Sequence, residues 1–198
     1  MTQTATQPAP NVAARNLTAA ERHHAARYLR QSQQTLQTTV YGLTNDQWNF
    51  KPASETWSIA ENVEHLVLVE QMLEGVLSRL PDSAVAIARR NDDEIDSQVL
   101  AFVRDRSQRY PAPPDSQPTG RWTPSGALGR FLVAREHTEE VLDRTPGLRE
   151  NVIPLGPLGA LDGYEWVLAV AAHTDRHVAQ IQEVKSNPRF PAAKAELN

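Results

Sequence analysis

Apolar residues recur every three or four positions along four long stretches of the chain, the spacing that one buried face of an α-helix demands. The first stretch begins near Thr18, where TAAE carries a capping box closed by Glu21, and runs to about Tyr41 on Ala25, Tyr28, Leu29, Leu36 and Val40. Leu43 continues the spacing, but Gly42 and the turn-rich GLTNDQWNFKP end the helix. The second has the clearest start: in WSIAENVEHL, Ser58 is an N-cap and Glu61 completes a capping box. Ile59, Val63, Leu66, Val69, Leu73, Val76 and Leu77 then line one face until Pro81. A further helix is expected from about Ser125 to Leu142 on Leu128, Phe131, Leu132, Val133, Val141 and Leu142, and a last one from about Tyr164 to Val184. A weaker, shorter repeat over Asp92 to Arg106 (Ile95, Val99, Leu100, Phe102, Val103) predicts an extra helix.

Two segments break this periodicity. YPAPPDSQPTG, residues 110–120, holds four prolines and a closing glycine and is read as irregular. TPGLRENVIPLGPLGALDG, residues 145–163, is a second Pro/Gly-rich loop, long enough to help shape a site. No strand-like alternation of convincing length occurs. The expectation is an all-α bundle of four main helices and a weaker fifth, over residues 16–186, with a disordered N-terminal tail at 1–15 and a C-terminal tail at 187–198.

Composition narrows the function. A chain of 198 residues, 40% apolar and 22% charged, is one ordinary globular domain. Its net charge of -4 and pI near 5.9 provide no basic footprint for nucleic acid or anionic membrane. Arg89, Arg90, Arg104, Arg106 and Arg109 cluster in sequence, but Asp92, Asp93, Glu94 and Asp105 interleave with them as on solvated faces. There is no cysteine, which removes disulfides, thiolate ligands and a cysteine nucleophile. The polar start MTQTATQPAP lacks a basic region followed by an apolar run and is not expected to act as a secretory signal, and no apolar run approaches the ~20 residues of a membrane span. A cytoplasmic protein acting on a small molecule is expected.

Candidate chemistry lies in AAHTDRHVAQ, residues 171–180. His173 and His177, four apart on the last helix, share a face, where two imidazoles can reach one divalent ion. Trp166, Val170 and Ile181 are assigned to the same inward stripe. With six histidines in 198 residues, chance supplies roughly 0.2 such pairs, so the pair alone is weak. His65 supplies a third candidate, placed on the second helix beside Leu66 and on the side of Val69 and Met72; facing helices of a bundle build such sites. Three neutral imidazoles leave a position for water or substrate. His23 and His24 are adjacent and diverge by about 100°, and His137 sits in the charged AREHTEEV. Glu61, one turn before His65, reads first as a cap and second as a group that orients a ligand or moves protons.

These residues carry a resemblance. LTNDQWNFKPASETWSIAENVEHLVLVE is similar to the opening signature of the DinB-like, or YfiT-like, metalloenzymes, in which a Trp-Ser-Ile-x-Glu helix start (Trp57, Ser58, Ile59, Glu61) leads to a metal-binding histidine, here His65. The family's other two ligands form a His-x-x-x-His pair on the last long helix, matching His173 and His177. The resemblance extends from about Asn16 to Lys185. It implies a four-helix bundle of up-down-down-up topology, a homodimer, and a site for one divalent ion such as zinc or nickel. It further implies either a transferase using a low-molecular-weight thiol (mycothiol or bacillithiol in relatives) or a metal-dependent hydrolase. A non-catalytic metal- or ligand-binding stress protein is the third reading. The N-terminal tail and the Pro-rich 110–120 depart from compact relatives and bear on the substrate.

Overall fold

In the computed structural model, residues 16–85 and 91–192 are described. The expected tail at 1–15, residues 193–198 of the other tail, and Arg89 and Arg90 lie outside them. The described residues form helices α1 (Ala19–Val40), α2 (Asn45–Asn49), α3 (Ile59–Arg79), α4 (Asp92–Arg104), α5 (Pro124–Arg144) and α6 (Gly163–Lys185). Each long helix starts on a side chain that accepts from the backbone amide three residues on: Thr18, Ser58, Thr123 and Asp162. That satisfies a donor the helix itself leaves unpaired. The expected boxes Thr18–Glu21 and Ser58–Glu61 both form, and a third, Asp162–Glu165, opens α6.

Contacts between helices fix their directions. Arg149 joins Glu21 to Asp162 at the start of α1 and α6, and Lys185 Nζ donates to the Thr39 carbonyl at 2.5 Å at their far ends, so α1 and α6 run parallel. Arg22 near the start of α1 meets the Leu142 carbonyl near the end of α5, so those two are antiparallel. Asn62 meets His177 and His65 meets His173, so α3 runs against α6. The result is the up-down-down-up bundle. Helix α4 lies outside it, packing Val99, Ile95 and Val103 onto Ala169 and Trp166 of α6.

The interior has two apolar halves. One gathers Leu29, Leu73, Leu77, Leu142, Val167 and Val170; the other gathers Leu36, Val63, Leu66, Phe131, Val178 and Ile181. Between them, at mid-height, lies a buried polar belt of Ser32 from α1, Glu70 from α3, Arg135 and Thr138 from α5, and Thr174 from α6. Arg135 donates to Glu70 (2.8 and 2.5 Å), the Leu29 carbonyl (2.9 Å), Ser32 Oγ (2.8 Å) and Thr174 Oγ1 (2.8 Å). Thr138 Oγ1 donates to the other Glu70 oxygen at 2.6 Å. A buried ion pair needs such company, since desolvation otherwise outweighs its attraction.

Two of the three expected irregular stretches, 42–52 and 145–163, hold more structure than their composition suggests. GLTNDQWNFKP contains α2, started by its own capping box between Thr44 and Gln47, and Trp48 caps the second apolar half. Residues 145–163 include strands β2 (Asn151–Pro154) and β3 (Ala160–Asp162), which with β1 (Ala84–Val85) form a small antiparallel sheet in the order β1-β2-β3. Strands of two to four residues show no readable alternation, so they escape a pattern-based reading. Buried Arg149 anchors this segment through Glu21, Asp96 and Asp162 while lying over the Tyr164 ring at 4.1 Å. Gly163 seals the same end, because a Cβ there would meet Leu148 Cδ2 at 2.6 Å and Leu80 Cδ2 at 2.7 Å. Gly163→Ala is expected to lower stability by about 1–3 kcal/mol through overpacking, measured as a drop in the urea midpoint at unchanged slope.

Candidate metal centre

The antiparallel run of α3 against α6 brings His65 to His173 and His177. His173 Nε2 stands 3.4 Å from His65 Nε2 and 3.2 Å from His177 Nε2. Ring centroids are 4.4–5.1 Å apart. His65 and His177 are buried and His173 is half-buried. Trp57, immediately before the α3 cap, stacks on His177 (centroids 6.0 Å, planes at 19°) and tilts against His65 at 4.8 Å.

The outer nitrogens set the tautomers. His65 Nδ1–H donates to the Ser116 carbonyl at 2.6 Å, and His177 Nδ1–H donates to Asn62 Oδ1 at 2.8 Å. Asn62 is itself oriented, because its Nδ2 donates to the Ser58 carbonyl at 2.8 Å. Both Nε2 atoms therefore carry lone pairs aimed at His173 Nε2, which can offer one proton to only one of them. His173 Nδ1 is buried and has no hydrogen-bond partner. Three inward nitrogens sharing at most one proton are poorly satisfied by one another. A divalent ion with tetrahedral bonds of ~2.0–2.1 Å sets its nitrogen ligands about 3.3–3.4 Å apart, close to the separations seen. The three rings thus fit such an ion by distance, by tautomer and by donor type.

The electrostatics suit the same purpose. Burial, then the neighbouring His65, Arg176 and Arg135, push the His173 imidazolium down to about 3. Burial, followed by His173 and His65, holds His177 well below its usual range, and burial lowers His65 against the opposing pull of the Ser116 carbonyl. All three are neutral at neutral pH, the form in which imidazole binds metal. Lowered folded-state values mean that the folded chain takes up fewer protons than the unfolded one. Their stabilising contribution is complete above about pH 6.5, the unfolded value, and is lost as pH falls toward the folded values. Metal-free protein is accordingly expected to keep a constant urea midpoint above pH 7 and to lose it progressively below pH 6.5, with a shallower fall in His173→Phe.

The sequence residues are not all brought together. Glu61 closes the capping box onto Ser58 N at 2.7 Å and pairs with Lys51 at 2.9 Å. Burial raises its carboxyl, but Lys51 and Ser58 outweigh this and keep it below the ordinary range. Asn62, one residue on, is the group that reaches a ring, and its position three residues before His65 was the available signal. Met72 is 41% exposed: the His65 stripe lies at the bundle's edge and surfaces two turns later. Trp166 turns toward α4 rather than toward the histidines. His137 is at the surface, 3.6 Å from Glu74. The segment 145–163 leads into the start of α6, about 15 Å along the axis from mid-helix His173 at 1.5 Å per residue. It is the Pro-rich 110–120, through Ser116 in a 3-10 turn (Pro114–Ser116), that borders the site.

The chain matches the DinB superfamily over residues 28–181, a span that includes all three histidines. The chain belongs to the DinB superfamily. This DinB-superfamily chain is also similar to the uncharacterized protein YuaE of Bacillus subtilis (strain 168), at 27% identity over 147 residues, covering 73% of this chain and 86% of that protein. No solved structure matches it. No helix among its described residues is long and apolar enough to cross a membrane.

Proposed function

We propose that His65, His173 and His177 hold one divalent metal ion, zinc or nickel, and that the protein is a metal-dependent transferase using an external low-molecular-weight thiol. The observation that carries the reading is the convergence of three Nε2 atoms, two of them held as lone pairs by outward Nδ1–H bonds. Bound there, such an ion would supply Lewis acidity, lowering the pKa of a thiol or water at its open position.

The chain's own contribution is positional. Asn62 and the Ser116 carbonyl hold two rings in the tautomer that presents Nε2. Trp57 covers one side of the rings and excludes water from it. With no cysteine in the sequence, the sulfur nucleophile must come from outside the chain. A proton-transfer role for Glu61 would require its Lys51 pair to open, so Lys51→Met is the informative companion to Glu61→Gln.

The assay uses protein loaded with zinc or nickel and an electrophile panel, with and without added thiol (mycothiol or bacillithiol). The transferase reading expects turnover that needs both metal and thiol. Metal-dependent ester cleavage without thiol would replace it by a hydrolase, and metal binding with no turnover by a non-catalytic binding protein.

A further inference from the structure

Glu64, the residue before His65, is 2% exposed, yet its carboxylate faces away from the three rings. It accepts from the backbone amides of Thr119 (2.9 Å), Gly120 (2.9 Å) and Arg121 (3.5 Å), from Thr119 Oγ1 (3.4 Å) and from Arg121 Nε (3.1 Å). Three successive amides can turn toward one anion only if the backbone between them curls. Gly120 permits it with φ at +72°, the left-handed region that glycine enters without strain. Three residues upstream, the Pro114–Ser116 turn ends with its last carbonyl on His65 Nδ1, and Ser116 is fully buried. Neighbouring residues of α3 therefore grip the two ends of one short segment, one through a carboxylate and the other through an imidazole.

We propose that Glu64 is a positioning residue for the histidine centre: by latching Thr119–Arg121 it aims the Ser116 carbonyl at His65 and so fixes the tautomer that presents Nε2. This rests on the three-histidine reading above. The Pro-rich segment is then an outer wall of the centre rather than a passive connection. Its prolines limit the conformations among which the segment must choose, and the Glu64 carboxylate selects one.

Two variants test this. Glu64→Gln keeps the volume and one acceptor oxygen but removes the charge that favours a nest of amides. Arg121→Ala removes the exposed arm of the latch, together with that side chain's bond to Thr119 Oγ1 (3.2 Å) and its contact over the Trp122 ring, and leaves α3 untouched. In metal-free wild type, long-range proton–nitrogen spectra should show His65 as a single Nδ1–H tautomer. In Glu64→Gln the His65 nitrogens should move toward a tautomer average, with the Thr119–Arg121 amides exchanging at least tenfold faster. Zinc affinity should fall about 10–100-fold, the usual effect of losing an outer partner of a ligand, and Arg121→Ala should give a smaller loss of both in the same order.

A His65 tautomer unchanged in Glu64→Gln while those amides loosen would overturn the latch, whatever zinc does. An unfolded Glu64→Gln leaves Arg121→Ala to decide by the same spectra, and no change there overturns it too. Absence of zinc binding by wild type with the tautomer shift intact would instead sink the three-histidine reading and leave the positional coupling standing.

Discussion

Arg135→Met is expected to lower the folding free energy by about 3–5 kcal/mol, a fall in melting temperature of roughly 6–20 °C for a chain this size. The cause is not the loss of attraction alone. Glu70 is 2% and Arg135 0% exposed at the side chain, so removing the guanidinium strands a carboxylate in the core. It also leaves the Leu29 carbonyl, Ser32 and Thr174 without the donor that ties α1 and α6 to α5. Replacing both charges, as in Arg135→Met with Glu70→Leu, should recover much of the loss, because two apolar side chains of similar volume pack where a costly pair stood. Urea midpoints for the wild type, both singles and the double close the cycle. A single-variant loss below about 1 kcal/mol would mean that the pair is hydrated and the belt is not a structural element.

The helices and their caps were readable because their signals are local. Thr18 with Glu21 and Ser58 with Glu61 each declare a start within four residues, and the apolar period after them does the rest. His173 and His177 were readable for the same reason, one helical turn separating them. Arg135 was not, since AREHTEEV looks like a solvated face residue by residue. Only the spacing of Phe131, Arg135, Thr138 and Leu142, all buried, places the arginine in the core stripe, and its partner Glu70 is 65 positions away. Asn62 and Ser116 were hidden differently. The polar partners of a histidine are chosen by tertiary placement, and a backbone carbonyl carries no sequence signal at all. The sheet escaped because β1, β2 and β3 are too short to alternate.

The second large effect concerns metal-linked stability. With free zinc at about 100 times its dissociation constant, the wild type should gain about 2.7 kcal/mol, seen as roughly 5–10 °C in melting temperature. Each histidine-to-alanine change leaves two ligands: His177→Ala and His173→Ala should abolish the gain, while His65→Ala, which keeps the His173/His177 pair one turn apart on α6, should leave a small remainder. The comparison is made within each variant, with and without zinc. Truncating His177 also leaves Asn62 Oδ1 without its donor and changes the metal-free baseline on its own. Asn62→Ala, which keeps all three rings, should retain the zinc response at weakened affinity.

The most direct measurement is zinc-edge X-ray absorption on stoichiometrically loaded wild type, paired with metal content after dialysis. The three-histidine centre predicts one ion per chain and three imidazole nitrogens at about 2.0–2.1 Å. Substoichiometric metal that does not depend on His173, or a spectrum without imidazole scattering, would contradict it.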